Sequence, residues 1–147
     1  MYFDVAEHGW VYLGASELFR LGGYAPWISL QPRCLHRPWL YDRVHALHHR
    51  VTNPTGFAAF SQHPVETLMG NLYFVLFVTF VPLHPLALMA AGGFMFGFNI
   101  LVHSGYEFFP RGFTRHRLCG WLNTSTHHNL HHSAIGWNYS PFLNCWD

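Results

Sequence analysis

Two short stretches of this chain spell H-x-x-H-H: "HALHH" at 45–49 and "HNLHH" at 128–132. Imidazole is the commonest metal ligand of proteins and suits zinc, copper, iron and nickel. Residues i, i+3 and i+4 of an α-helix share one face. The spacing therefore predicts that His45, His48 and His49 point the same way, and that His128, His131 and His132 do too. Six convergent histidines exceed what one tetrahedral zinc needs and suit two ions with further ligands. Candidates for those are His36, His103 and Glu107, with His63 near the first apolar run. His103 and Glu107 lie at i and i+4, at the end of an apolar segment, where polar groups are functional suspects. Seven of the thirteen histidines fall in residues 44–50 and 126–132, so scatter is a poor account of them. Packing six imidazoles without metal would leave many donors and acceptors to satisfy. His8, His84 and His116 stand alone and read as structural.

The surroundings suggest lipid. Half of the 147 residues are hydrophobic and only 10% are charged, against about 25% in ordinary soluble domains. A net charge of +1 gives no electrostatic case for nucleic acid. Cys34, Cys119 and Cys145 are widely spaced, form no C-x-x-C and read as incidental thiols in a reducing compartment. The opening "MYFDVAEHGW" carries acids where a secretory signal would carry positive charge.

The elements that must position the histidines follow from pattern. "WVYLGASELFRL" predicts a short helix with Glu17 and Arg20 facing out, whereas residues 22–39, with three prolines and two glycines, predict no regular element. Leu40, Val44, Leu47 and Val51 recur at helical spacing, so 40–51 is expected as a helix that "TNPTG" ends. No charged residue occurs between Glu66 and Glu107, and "PLHP" interrupts that run. Two helices are expected, about 65–81 and 86–103. Each would be roughly 25 Å long, near the ~30 Å of a hydrocarbon core. Arg33, Arg37, Arg43 and Arg50 precede this hairpin, Arg111, Arg115 and Arg117 follow it, and the turn has none. By the positive-inside rule both flanks are cytoplasmic. The expected fold is thus an all-α membrane protein: a helical hairpin spanning or deeply inserted in the bilayer, with a histidine-rich helical cap on the cytoplasmic side.

Ordered motifs add a resemblance. "LHRPWLYDRVHALHH" (35–49), "NPTGFAAFSQHPVE" (53–66), "HSGYE" (103–107) and "HHNLHHSAIGWNYSPFLNCWD" (127–147) are similar to successive landmarks of the sterol desaturase/fatty acid hydroxylase superfamily. These are integral membrane, non-haem di-iron enzymes. "PLHP" resembles the C5-sterol desaturase branch. The resemblance implies a domain over 35–147, preceded by a divergent or truncated segment, 1–34, and a chain that is a fragment of a longer protein. It implies two iron ions that activate dioxygen to hydroxylate or desaturate a C–H of a sterol, fatty acyl or related lipid. Electrons would come from cytochrome b5 or a ferredoxin/reductase system. His36, His45, His48, His49, His103, His128, His131 and His132 match its metal ligands. Glu107 matches a position that is histidine in some members, and His63 and His127 match positions suited to orienting ligands by hydrogen bonds. Pro32 stands where the first histidine box expects a histidine. That departure keeps open a catalytically impaired remnant that binds metal. A zinc-binding membrane protein is the other alternative, although the H-E-x-x-H of zinc hydrolases is absent. Residue types alone do not separate iron from zinc.

Overall fold

Proline fits the first helical position, where its missing N–H costs nothing, and Pro64 and Pro85 each open a helix. The computed structural model describes residues 1–134 and 136–147. Among them four helices exceed two turns: α1 (Gly9–Leu35), α2 (Pro64–Phe80), α3 (Pro85–Val102) and α4 (Ser125–Ser133). Among the described residues there is no strand, only an isolated bridge between Leu122 and Leu143. The expected hairpin is α2 and α3, each within one residue of its anticipated ends. The histidine before each proline caps its helix: His63 Nδ1 accepts from Val65 N and His84 Nδ1 from Leu86 N, both at 3.2 Å. This satisfies one of the orphan N–H groups of a helix start.

Residues 22–39 correct the expectation of irregular chain. α1 runs unbroken through Pro26 and Pro32 to Leu35. Each proline removes one backbone hydrogen bond, but side chains along α1 gain partners on α2. Tyr73 Oη donates to Arg20 O at 2.7 Å, Trp27 Nε1 to Met69 O at 3.2 Å and Gln31 Nε2 to Glu66 O at 3.1 Å. Rising numbers on α1 meet falling numbers on α2, so the two are antiparallel. The far end of α1 reaches the hairpin turn, where Tyr12 Oη donates to Pro82 O. Arg20 also departs from expectation. Its side chain is fully buried, held by Glu17 Oε2 at 2.8 and 2.9 Å and lying over the Phe74 ring. The short helix expected over "WVYLGASELFRL" is the first part of α1, and its continuation to Leu35 along α2 encloses this pair.

The expected helix over 40–51 is also corrected. The chain there makes a helical turn at Pro38–Leu40, a wide π-turn at Tyr41–His45 and a 3₁₀ turn at His48–Arg50. Ala46 N reaches back to Tyr41 O at 2.8 Å, the i to i−5 bond of a π-turn, a form common at functional sites.

The molecule is polar inside and apolar outside. Seven histidines are buried, whereas Trp10, Phe19, Leu68, Phe80, Met89 and Phe94 are each more than 60% exposed. Soluble monomers rarely show apolar exteriors of this extent. α3 is long and apolar enough to cross a membrane, and α2 is a shorter apolar helix.

Two motif loops lock together beneath the histidines. Gly105 has φ +75°, and a Cβ there would stand 2.6 Å from the Pro54 carbonyl oxygen. Gly105→Ala should therefore destabilise the fold by about 1–3 kcal/mol and lower the thermal unfolding midpoint in detergent. An unchanged midpoint would mean that the loops do not need this close approach.

Candidate metal centre

The centre is assembled from helix ends, turns and one short helix. His36 is the C-cap of α1 and His103 the C-cap of α3. The partial negative charge of a helix C-terminus favours a cation beside it. His45, His48 and His49 come from the π and 3₁₀ turns, and His128, His131 and His132 from α4. All eight meet at one end of the helices, in two groups whose nitrogens lie within 4.8 Å of one another: His36, His45, His49 and His131; and His48, His103, His128 and His132.

The grouping follows a rule. Each quartet takes the i and i+4 histidines of one H-x-x-H-H stretch, the i+3 histidine of the other, and one helix C-cap. The two triplets thus interlock instead of each serving one ion. His49 and His132 span the seam, with ring centroids 4.8 Å apart.

Hydrogen bonding decides which nitrogen faces inward. His103 Nδ1 donates to Asn99 O at 2.8 Å, His131 Nδ1 to Trp137 O at 2.9 Å and His48 Nδ1 to Ser61 O at 3.3 Å. A carbonyl oxygen only accepts, so these Nδ1 atoms carry the proton and Nε2 of the neutral ring offers a bare lone pair. In the His48–His103 pair both lone pairs face each other, and the Nε2 atoms of the other pairs converge in the same way. Nε2 to Nε2 distances are 3.4 Å for His36–His131, 3.1 Å for His45–His49, 3.3 Å for His48–His103 and 2.8 Å for His103–His128. Two nitrogens each ~2.1 Å from one ion stand roughly 3.0–3.4 Å apart. Three of the four pairs fall in that range, and every pair lies within a quartet. Facing lone pairs repel unless a cation sits between them, so the donor set fits one metal ion per quartet.

Glu66 is the functional residue that sequence reasoning passed over. It is 3% exposed, and its Oε1 takes His45 Nδ1 at 2.9 Å. A carboxylate behind a ligating histidine fixes the ring and raises its basicity. The available signal was its place as the last charge before a long uncharged run.

Three other candidates lie outside both quartets. Glu107 accepts from Thr126 Oγ1 at 2.6 Å and Thr126 N at 3.2 Å, and so helps close the N-terminus of α4. His127 Nδ1 lies against Thr124 Oγ1 and Asn144 Nδ2 at 3.2 and 3.4 Å. His63 is the helix cap described above. Pro32 lines a cavity of about 590 Å³ that opens onto His45, His48, His103, His128 and His131. The remainder of its wall is mostly apolar, with Leu35, Phe74, Met95, Phe96 and Phe142.

Burial is the leading cause that holds His36, His48, His49, His103, His128, His131 and His132 neutral, with repulsion from neighbouring imidazoles added. His36 and His132 fall to about 3 and His49 to about 2. His103 and His131 fall to about 4, burial being partly offset by their bonds to Asn99 and Trp137. His48 and His128 shift downward from the same causes. Unfolded histidine titrates near 6.5. Below that value the unfolded chain binds more protons than the folded one, so stability rises with pH across this window. The metal-free chain should lose stability as pH falls from about 6.5 towards 3–4, and protons should compete for the ligands over the same interval. Thermal unfolding and retained metal, both measured at pH 7.5 and pH 5, check this; equal values at both would contradict it.

Comparison with known proteins gives a consistent picture. The "Fatty acid hydroxylase" family matches residues 31–147. Rat cholesterol 25-hydroxylase is 35% identical over 114 residues, covering 75% of this chain and 37% of that protein. Mouse lathosterol oxidase is 29% identical over 152 residues, covering 100% of this chain and 48% of that protein. A Delta(7)-sterol 5(6)-desaturase of Gibberella zeae is 30% identical over 148 residues, covering 97% and 43%. The chain spans less than half the length of these curated relatives. No solved structure matches it significantly.

Proposed function

The chain belongs to the fatty acid hydroxylase family, and from that premise we propose that it holds two iron ions, one per quartet, and oxidises a C–H bond of a lipid with dioxygen. The carrying observation is the pair of histidine quartets, with Nε2 atoms converging within each, that open on an apolar cavity. Bound iron would supply the oxygen activation and hydrogen abstraction that no side chain provides. The chain's own residues do the rest. Eight histidines hold the ions, Glu66 keeps the His45 ring in place, and the apolar wall excludes water and aligns the lipid. Hydroxylation consumes one dioxygen, two electrons and two protons, and returns the alcohol and one water. Desaturation consumes the same reagents and returns the alkene and two waters. The electrons must come from a carrier such as cytochrome b5 or a ferredoxin/reductase pair.

The apolar exteriors of α2 and α3 support insertion of the hairpin in a bilayer. The arginines on both flanks support a cytoplasmic position for the histidines. Relatives named as sterol desaturases and cholesterol hydroxylases support a sterol or similar lipid as substrate.

Metal analysis tests the reading. The chain purified in detergent, anaerobically and with iron supplied, should carry two irons, because both quartets are complete without a histidine at position 32. Pro32→His should leave that stoichiometry unchanged. No bound iron would refute the proposal, and zinc alone would favour a zinc-binding membrane protein. Pro32, in a place where the resemblance expects a ligand, supports a second reading, a metal-binding chain without catalysis. Lipid oxidation that requires both oxygen and reductant separates the two.

A further inference from the structure

The chain between α3 and α4 folds on itself yet leaves large apolar side chains outside. Phe109 and Phe113 stack with ring centroids 4.2 Å apart, and Trp121 Nε1 donates to Leu118 O at 2.6 Å. Gly120 makes so close a turn that a Cβ there would stand 2.7 Å from the Thr114 and His116 carbonyl oxygens. Tyr106, Phe108, Leu118 and Trp121 are nevertheless 47–78% exposed. Arg111, Arg115 and Arg117 are exposed among them, and none forms an ion pair among the described residues. Glu107 is the one acid of residues 103–124. It accepts from Thr126 Oγ1, Thr126 N and Phe109 N, and so ties the loop to α4. An exposed apolar patch rimmed by charge marks an interaction site.

Position and charge select the partner. The segment begins where α3, the helix long and apolar enough to cross a membrane, ends at Val102. With the hairpin inserted as proposed above, it emerges at the cytoplasmic face of the bilayer. Tryptophan and tyrosine concentrate at membrane–water interfaces, and the anionic lipids of that leaflet attract basic segments beside a membrane helix. Three arginines against one engaged acid give the loop the complementary charge. We infer that residues 106–121 form a docking surface for anionic lipid. Arg111, Arg115 and Arg117 meet the lipid phosphate and carboxylate groups, while Tyr106, Phe108, Leu118 and Trp121 enter the headgroup layer. An acidic soluble protein would also complement the arginines; the adjoining bilayer and the aromatic and aliphatic side chains between them favour lipid. The inference rests on the bilayer insertion proposed above. Because Glu107 joins the loop to the first turn of α4, docking also steadies the helix that supplies His128, His131 and His132.

Hydrogen–deuterium exchange tests this on the full chain in nanodiscs of phosphatidylcholine, with and without phosphatidylserine. Amides of 106–121 should exchange roughly tenfold more slowly when phosphatidylserine is present, since each arginine near an anionic surface favours docking about fivefold. High salt should remove the slowing. The combined variant Arg111→Gln, Arg115→Gln, Arg117→Gln should exchange alike in the two lipids, to within about twofold. Arg37→Gln with Arg43→Gln, in the arginine cluster before the hairpin, should keep the difference. Phe108→Ser with Leu118→Ser should speed exchange of the loop in both lipids. Equal exchange of the unaltered chain in the two lipids, or a difference that survives the triple substitution, would overturn the inference. So would protection of 106–121 by the soluble domain of an acidic carrier such as cytochrome b5 and not by phosphatidylserine, which would assign the surface to a protein. Incorporation separates the failures. A chain that enters the discs without lipid-dependent protection removes this inference alone, whereas a chain that does not enter them removes the bilayer reading and this inference with it.

Discussion

Replacing His128 with alanine should lower bound metal from two ions per chain to one and reduce lipid oxidation to background. His128 is buried, its Nε2 stands 2.8 Å from that of His103, and its quartet has no spare histidine. Removing one of four donors leaves three, with a void in place of the fourth, and the pair of ions in the proposed reaction is broken. His49→Ala should do the same to the other quartet. Because the quartets draw on different nitrogens, His128→Ala combined with His49→Ala should lose both ions. A single merged cluster predicts otherwise: either substitution alone would empty it. Elemental analysis of the three variants, with lipid products followed by mass spectrometry, distinguishes these cases. Retention of two ions by His128→Ala would sink the quartet assignment.

Glu66→Gln should weaken metal binding in the quartet that contains His45 by about 10–100-fold, the usual cost of removing a hydrogen-bond partner behind a ligand. The substitution keeps the shape but removes the charge that favours Nδ1–H on His45 and a bare Nε2 facing inward. The amide also presents a donor group that can turn towards Nδ1 and hold the ring in the wrong tautomer. Competition against a chelator at pH 7.5 measures the change. The other quartet should keep its affinity, so a biphasic titration is expected. Glu66→Asp should recover part of the loss if its shorter carboxylate reaches His45. An unchanged affinity in Glu66→Gln would mean that His45 is held by packing alone.

Much of the centre was legible in the chain. Imidazoles at 3 and 4 spacing announce a metal face whatever their exact turn, so all eight histidines of the two quartets were named from sequence. The hairpin was legible because uncharged runs of that length have few alternatives, and because Pro64 and Pro85 suit the first position of a helix. His63 takes a role that the motif alone does not reveal. A histidine before a helix-starting proline can cap that helix through Nδ1, and the motif says nothing of which role it takes. Glu107 shows the same ambiguity, since a carboxylate that suits a metal also suits the N-terminus of α4.

The sequence by itself determined the donor atoms, their clustering in two short stretches, the apolar hairpin and the chemistry that such donors can support. Only the tertiary structure decided that the triplets interlock, because each quartet joins residues far apart in the chain, such as His36 with His131 and His48 with His128. His48 and His49 join different quartets from a 3₁₀ turn that follows a π-turn, a succession with no simple periodic signature. Tertiary structure also decided α1. Pro26 and Pro32 argue locally against a helix, but hydrogen bonds from Trp27 and Gln31 to α2 and packing against its aromatic face outweigh that preference. Local rules weigh a segment against water, and this one is weighed against a neighbouring helix.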